Sequence, residues 1–206
     1  MNANTQFIQD LVVFPAKPNA IPKMLYESAE IYQLELERLF YGPHWHPVAH
    51  VGEIPKAGDY KTFYIGEVPI LITRQENGEV GVFHNACTHR GTLLVPEVRG
   101  CATEFQCPYH RWLFDNGGNL RGVPGENDFP EDFCKADYGL RKVRFEVFAG
   151  LVFATLDDHA GPLADQLGEI AGPLREALGG DGRLKLLGYQ KIMYNANWKT
   201  YRDQDG

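Results

Sequence analysis

Short apolar runs punctuated by glycine, proline, asparagine and aspartate dominate the middle of the chain. Tyr60–Ile65, Val68–Thr73, Val80–His84, Val143–Phe148 and Leu151–Leu156 are rich in β-branched and aromatic residues and bounded by turn formers, which predicts strands. Asn77-Gly78 and Asn116-Gly117 read as two-residue hairpin signals. Upstream, a proline-rich start (Pro15, Pro18, Pro22) leads to Ser28, an N-cap candidate, and then to Tyr32, Leu36, Leu39 and Phe40 on one helical face. Downstream, Leu163, Leu167, Ile170, Leu174 and Leu178 keep helical spacing, interrupted at Gly172-Pro173. Gly179-Gly180-Asp181-Gly182 then breaks the chain before a strand-like run from Leu184 to Met193. The pattern gives three zones: a helical segment over 1–41, a β-rich domain over 42–157, and a mixed segment over 158–206. No internal repeat or low-complexity tract is visible.

Composition removes several functional classes. With 206 residues the chain can bury a sizeable core. A formal charge of −7 without a basic cluster argues against nucleic acid, whose phosphates need lysine and arginine. Met1–Asp10 lacks a basic region followed by an apolar run, so no signal peptide is expected. No stretch approaches the twenty apolar residues of a membrane span. The expected location is cytoplasmic.

The decisive chemistry lies in two matched pairs. Cys87-Thr88-His89 is followed, after seventeen residues, by Cys107-Pro108-Tyr109-His110. Each pair offers one thiolate and one imidazole. Two Cys and two His also satisfy tetrahedral zinc, but zinc fingers usually put both cysteines on one loop and both histidines on the other. One of each per loop suits a cluster with two chemically different irons, in which neutral nitrogens on one iron raise the reduction potential, as in a Rieske [2Fe–2S] centre. His44, His46, His50, His84 and His159 have no cysteine at ligand spacing and are read as structural or surface residues. Cys101 and Cys134 are expected to be buried thiols, since free cysteine packs as a small hydrophobe.

Asn85-Ala-Cys87-Thr-His89-Arg90-Gly91 and Cys107-Pro-Tyr-His110-Arg111-Trp112 resemble the cluster loops of Rieske non-haem iron ring-hydroxylating oxygenases. Gly91 suits a backbone folded tightly around a ligand, and Pro108 stiffens the second loop. The family usually has glycine after the second histidine; this chain has Arg111. Gly122-Val-Pro124-Gly125 resembles the loop that covers the cluster, and Trp45-His46-Pro-Val the first strand. The disulfide of the respiratory Rieske proteins has no cysteines to form it here: Tyr109, Thr92 and Leu93 stand at the relevant places. Asn197-Trp198-Lys199, with acidic residues after it, resembles the opening of the oxygenase α-subunit catalytic domain. Asp205 falls where the family places the carboxylate that links its two metal sites; the bland alternative is that Asp203 and Asp205 are surface acids.

The resemblance implies a mainly β fold: an antiparallel Rieske β-sandwich over 42–157, an N-terminal helix over 1–41, and over 158–206 the start of an α+β catalytic domain. It implies a [2Fe–2S] cluster held by Cys87, His89, Cys107 and His110, the thiolates on the inner iron and the imidazoles on the outer one. A mononuclear Fe(II) on a facial triad is expected only in a longer protein, because the chain stops about two residues short of the first family ligand. The implied partners are a reductase or ferredoxin as electron donor and further α subunits, with or without a β subunit. The implied activity is oxygen-dependent hydroxylation of an aromatic ring; the chain by itself is expected to carry electrons and hydroxylate nothing. The alternative is a free-standing Rieske ferredoxin, for which the N-terminal helix and the residues after Asp157 are superfluous.

Overall fold

A computed structural model describes Val12, residues 21–179 and residues 184–202. Its contacts separate two compact units, Phe40–Leu186 and a second made of Met1–Leu39 with Leu187–Gly206. Among the described residues no helix is long and apolar enough to cross a membrane.

Among the described residues the larger unit has ten strands in three antiparallel sheets. They are β1 (His46–His50), β2 (Asp59–Ile65), β3 (Val68–Arg74), β4 (Val80–His84), β5 (Arg99–Cys101), β6 (Glu104–Gln106), β7 (Leu113–Asp115), β8 (Leu120–Gly122), β9 (Arg144–Phe148) and β10 (Leu151–Thr155). The sheet orders are β1-β10-β9, β4-β3-β2-β5 and β6-β7-β8. The middle sheet is covered on both faces, and the side-chain alternation of β3 and β4 shows how. Ile70, Ile72 and Val82 join Val48, Ile54, Val152 and Ala154 in one core. Leu71 and Phe83 face the other way, into a core with Phe105, Phe114, Trp112, Cys87 and Cys107. Ile70, Leu71 and Ile72 are all fully buried, as the apolar run on β3 requires of a strand with no wet face.

Both Asn-Gly hairpins form, but with three-residue turns. Gln75 pairs with Glu79 and Asp115 with Asn119 through backbone hydrogen bonds of 2.8 and 3.0 Å. The left-handed residues are Gly78 (φ +83°) and Gly118 (φ +82°). In the second turn Gly117 therefore precedes the left-handed residue. The Asp115 carboxylate organises that turn, accepting from the Gly117 and Asn119 amides at 2.9 and 2.8 Å.

Two helices expected as one interrupted helix form over Leu163–Leu167 and Ala171–Ala177. The break falls at Gly168 (φ +46°) rather than at Gly172-Pro173. Pro173 sits in the first turn of the second helix, where an amide hydrogen has no helical acceptor to lose. Leu163 and Leu167 pack on Trp45 and Phe153. Gln166 bonds the Trp45 backbone twice, accepting from its N–H at 2.7 Å and donating to its carbonyl at 2.9 Å.

In the smaller unit Ser28 caps the helix Ala29–Glu35, its hydroxyl accepting from the Ile31 amide at 3.2 Å. The helix continues as a π turn over Leu36–Phe40, which shifts the phase of its faces. Ile31 and Leu36 are the buried residues, while Leu39 is exposed, so the face is not the Tyr32-Leu36-Leu39-Phe40 stripe expected. The Glu35 carboxylate accepts from the Trp198 indole at 2.9 Å and pairs with Lys199 at 2.6 Å. Asn197 accepts from the Lys199 amide at 3.1 Å, opening the helix Trp198–Arg202. Asn197-Trp198-Lys199 thus holds this unit together. Leu184–Tyr194, expected as a strand, is exposed throughout and pairs with no strand among the described residues.

Candidate metal centre

The two ligand loops leave the ends of β4 and β6 and are built on one plan. The Cys87 N–H donates to the Thr92 carbonyl at 2.8 Å, and the Gly91 N–H returns to the Cys87 carbonyl at 2.8 Å. In the second loop the Cys107 N–H donates to Trp112 at 2.8 Å, and the Arg111 N–H returns to Cys107 at 3.0 Å. Both loops therefore hairpin around their cysteine and present the histidine near the tip. The residue closing each turn is left-handed: Gly91 at φ +71° and Arg111 at φ +58°.

The four candidate residues converge as two unlike pairs. Cys87 and Cys107 are buried in the core at 2 % and 1 % exposure. The His89 and His110 rings lie 4.6 Å apart and share a cavity with Tyr109, Arg111, Trp112, Pro124 and Phe129. Thiols sit inward and imidazoles at the opening. Pro124 brings the Gly122–Gly125 turn into the same cavity. His89 stacks flat on Trp112 (4.8 Å between centroids, 9° between planes), and Tyr109 lies 3.8 Å from the His110 ring.

The donors fit an electron-poor, positively charged group. Burial, with the adjacent Cys107 thiol, pushes the Cys87 thiol up to about 11. A bound cation reverses that logic by favouring thiolate. His89 is held below the usual histidine range by burial, then by His110 and Arg90, which favours the neutral form that ligates metals. Its Nδ1 is buried with no hydrogen-bond partner, an arrangement that buried polar atoms rarely tolerate. Among the described residues no three His, Cys, Asp or Glu side chains close around a single ion, whereas two separated pairs suit a group with two metals.

The remaining histidines stay apart from this cavity. His46 bonds the Phe40 carbonyl at 3.1 Å. His50 Nδ1 accepts from the Gly52 amide at 3.0 Å, leaving its buried Nε2 without a partner. The backbone amide of His84 donates to Arg141 at 2.9 Å. Cys101 and Cys134, expected to be buried, are both exposed: Cys101 ends an edge strand whose three residues all face solvent, and Cys134 opens a surface 3-10 turn. Asp203 and Asp205 lie outside the described residues.

Sequence reasoning assigned no role to Asn85. Its amide is 1 % exposed, donates to the Val95 carbonyl at 2.7 Å and accepts from the Val95 N–H at 2.9 Å. That clamp closes the base of the first ligand loop. The signal available was a polar residue just before Cys87, at the end of an apolar strand.

Comparison with known proteins agrees with this geometry. The Rieske [2Fe-2S] domain family matches residues 44–138. Anthranilate 1,2-dioxygenase large subunit from Burkholderia cepacia is 39 % identical over 89 % of this chain and 44 % of its own length. Biphenyl 2,3-dioxygenase subunit alpha from Rhodococcus jostii is 40 % identical over 87 % of this chain and 39 % of its own. The crystal structure of naphthalene 1,2-dioxygenase from Rhodococcus sp. bound to indole superposes with a TM-score of 0.82, at 36 % identity, covering 89 % of this chain and 42 % of that one. The chain thus spans less than half the length of these relatives. Residues 44–138 are a Rieske [2Fe–2S] domain, and most of the chain is homologous to the N-terminal part of the large (α) subunits of ring-hydroxylating oxygenases.

Proposed function

We propose that Cys87, His89, Cys107 and His110 hold the [2Fe–2S] cluster, with the thiolates on the inner iron and the imidazoles on the outer one. The observation that carries this is the sidedness of the site: two buried thiols behind two imidazoles at an opening, with His89 Nδ1 buried and unpartnered. When bound, such a cluster supplies one-electron transfer at a potential raised by its neutral ligands. The chain supplies the rest. The hairpin frames fix both cysteines, the Asn85 clamp closes the first loop, and Trp112 fixes the His89 ring plane. Phe129, Phe133 and Tyr138 pack on Trp112 and exclude water behind it.

The protein then serves as the electron-transfer part of an oxygenase, receiving electrons at its imidazole face from a reductase or ferredoxin. Relatives match this chain well outside residues 44–138, which favours an oxygenase part over a free-standing carrier. Hydroxylation of an aromatic ring is the proposed activity of the longer protein, because the sequence relatives carry aromatic names. A solved quaternary ammonium Rieske monooxygenase in complex with L-carnitine, 32 % identical over 89 % of this chain with a TM-score of 0.78, shows that a similar half also works beside a non-aromatic substrate. In the longer protein a mononuclear iron is expected, with Asp205 as the carboxylate between the two metal sites and further α subunits as partners.

Metal and sulfide analysis tests the site. The purified protein should be brown, with two irons and two sulfides per chain, and Cys87→Ala should abolish cluster retention. A colourless protein holding one zinc per chain would overturn the assignment. Oxygen consumption by the longer protein, supplied with a reductase and offered anthranilate, biphenyl or carnitine, tests the activity; turnover of carnitine alone would reject the aromatic reading.

A further inference from the structure

The two ligand loops differ at one equivalent position. Each closes with an amide returning to its own cysteine carbonyl, and each closing residue is left-handed. In the first loop that residue is Gly91. In the second it is Arg111, whose Cβ makes the same conformation unfavourable. Nothing in the loop's hydrogen bonding requires a side chain there, since both returns use backbone atoms only. A side chain kept at the cost of backbone strain beside a functional site points to a use for that side chain.

That use does not lie within the described residues. Arg111 is exposed, and no hydrogen bond, ion pair or ring contact engages its guanidinium there. Four other arginines contrast with it. Arg74 donates to the Ile54, Gly78 and Val51 carbonyls, Arg121 pairs with Asp115 at 2.7 Å, and Arg144 and Arg175 lie over the rings of Trp45 and Phe148. Arg111 instead lines the cavity mouth with His89, His110 and Tyr109, and Tyr109 is 60 % exposed. The first loop's Arg90 is exposed as well. In a chain of formal charge −7, each histidine-bearing tip thus carries an exposed guanidinium. Across the cavity Phe129 adjoins Asp128, so the rim is not uniformly basic. A partner's carboxylates are drawn to the loop side.

We propose that Arg111 is a recognition contact for the electron donor, gripping a carboxylate on an acidic donor protein and steering it to the imidazole face. A planar guanidinium suits this task because it takes a carboxylate through two parallel hydrogen bonds. Charge complementarity of this kind mainly raises the association rate and is screened by salt. The proposal rests on His89 and His110 being the exposed cluster ligands.

The test uses the cluster-loaded chain and three variants: Arg111→Gly, Arg111→Lys and Arg111→Glu. Reduction by a reduced acidic [2Fe–2S] ferredoxin is followed by stopped flow at low and high salt, beside reduction by an uncharged photochemical reductant. Arg111→Gly should lose about ten-fold in rate with the ferredoxin at low salt. Arg111→Glu should lose more and Arg111→Lys less, with the differences shrinking at high salt. Arg111→Lys should match the parent with the uncharged reductant and keep its midpoint potential, and for all three variants the loss with the ferredoxin should exceed any change with the uncharged reductant. Arg111→Gly should also melt higher, because the left-handed strain is gone. Ferredoxin rates unchanged by Arg111→Gly at low salt would overturn the proposal. A lowered midpoint potential with equal losses for both reductants would also overturn it, making Arg111 a tuner of the cluster instead. Failure of the underlying site reading is separate: the parent chain itself would lack the visible absorption of a [2Fe–2S] cluster.

Discussion

The ligand-loop region and the run Leu184–Tyr194 have similar apolar character in sequence and opposite outcomes in structure. Around Cys87 and Cys107, apolar side chains and backbone amides are enclosed, and each loop returns its hydrogen bonds to itself. In Leu184–Tyr194, Leu187 is 94 % and Met193 86 % exposed, and no ladder forms. Apolar residues close up only where a neighbouring element supplies both a surface and backbone partners. Exposed apolar side chains such as Leu187 and Met193 belong to no core cluster of the described residues.

The largest contrast should come from the shared sheet. Ile72→Ala removes a fully buried side chain from the core that β3 shares with β1 and β10. It should lower stability by about 2–5 kcal/mol in denaturant unfolding. A loss below about 1 kcal/mol would mean that this core is loosely packed. Next comes Asn85→Ala, which strands the Val95 amide and carbonyl in a dry site. It should cost about 1–3 kcal/mol and speed iron release, whereas Ile72→Ala should affect iron mainly through global unfolding. Equal iron-release rates for the two variants would show that the clamp has no local role.

A smaller effect should follow pH. Burial, then the nearby Arg141 charge, hold His84 below the ordinary histidine range. As pH falls through about 6.5, the unfolded chain takes up the proton before the folded one does. His84 therefore contributes stability that is complete above that pH and lost on acidification, down to its lowered folded value. His84→Gln should flatten the acid limb of a plot of denaturation midpoint against pH. An unchanged limb would assign the acid sensitivity to other groups. Smallest of all should be Leu187→Ser with Met193→Ser, within about 0.5 kcal/mol of the parent. A large loss there would mean that the run is covered in solution, and the contrast with the ligand loops would disappear.

How far the sequence could be read depends on what each signal needs. Five of the six longer strands were legible within a residue or so, because runs such as Val68–Thr73 satisfy both faces of a central strand, while β1 showed only through the resemblance of Trp45-His46-Pro-Val. The three-residue strands β5 to β8 are too short to carry a period and appear only through their partners. The four cluster candidates were legible because their spacing is chemical, independent of packing. Arg111 stood out by its identity, but only its φ shows what the position demands. The exposure of Cys101 and Cys134 was not legible, since a thiol's burial is decided by where its edge strand or its turn lies in the fold. The π turn at Leu36–Phe40 was missed for a related reason: one extra residue per turn rotates a face without altering composition.

The clasp between Trp45 and Gln166 sets an order on biosynthesis. β1 pairs with β10, His46 opposite Ala154, and the residue before β1 is held by a side chain 121 positions later. Closing so long a loop contributes nothing until nearly the whole unit has left the ribosome. Strands β2 to β4 and β6 to β8, by contrast, find their partners nearby in sequence, and β5 returns to a β2 already made. On a growing chain the metal-binding half can therefore be assembled while β1 still waits for β10, which leaves the edge of β1 open longest and makes it the natural hold for a chaperone.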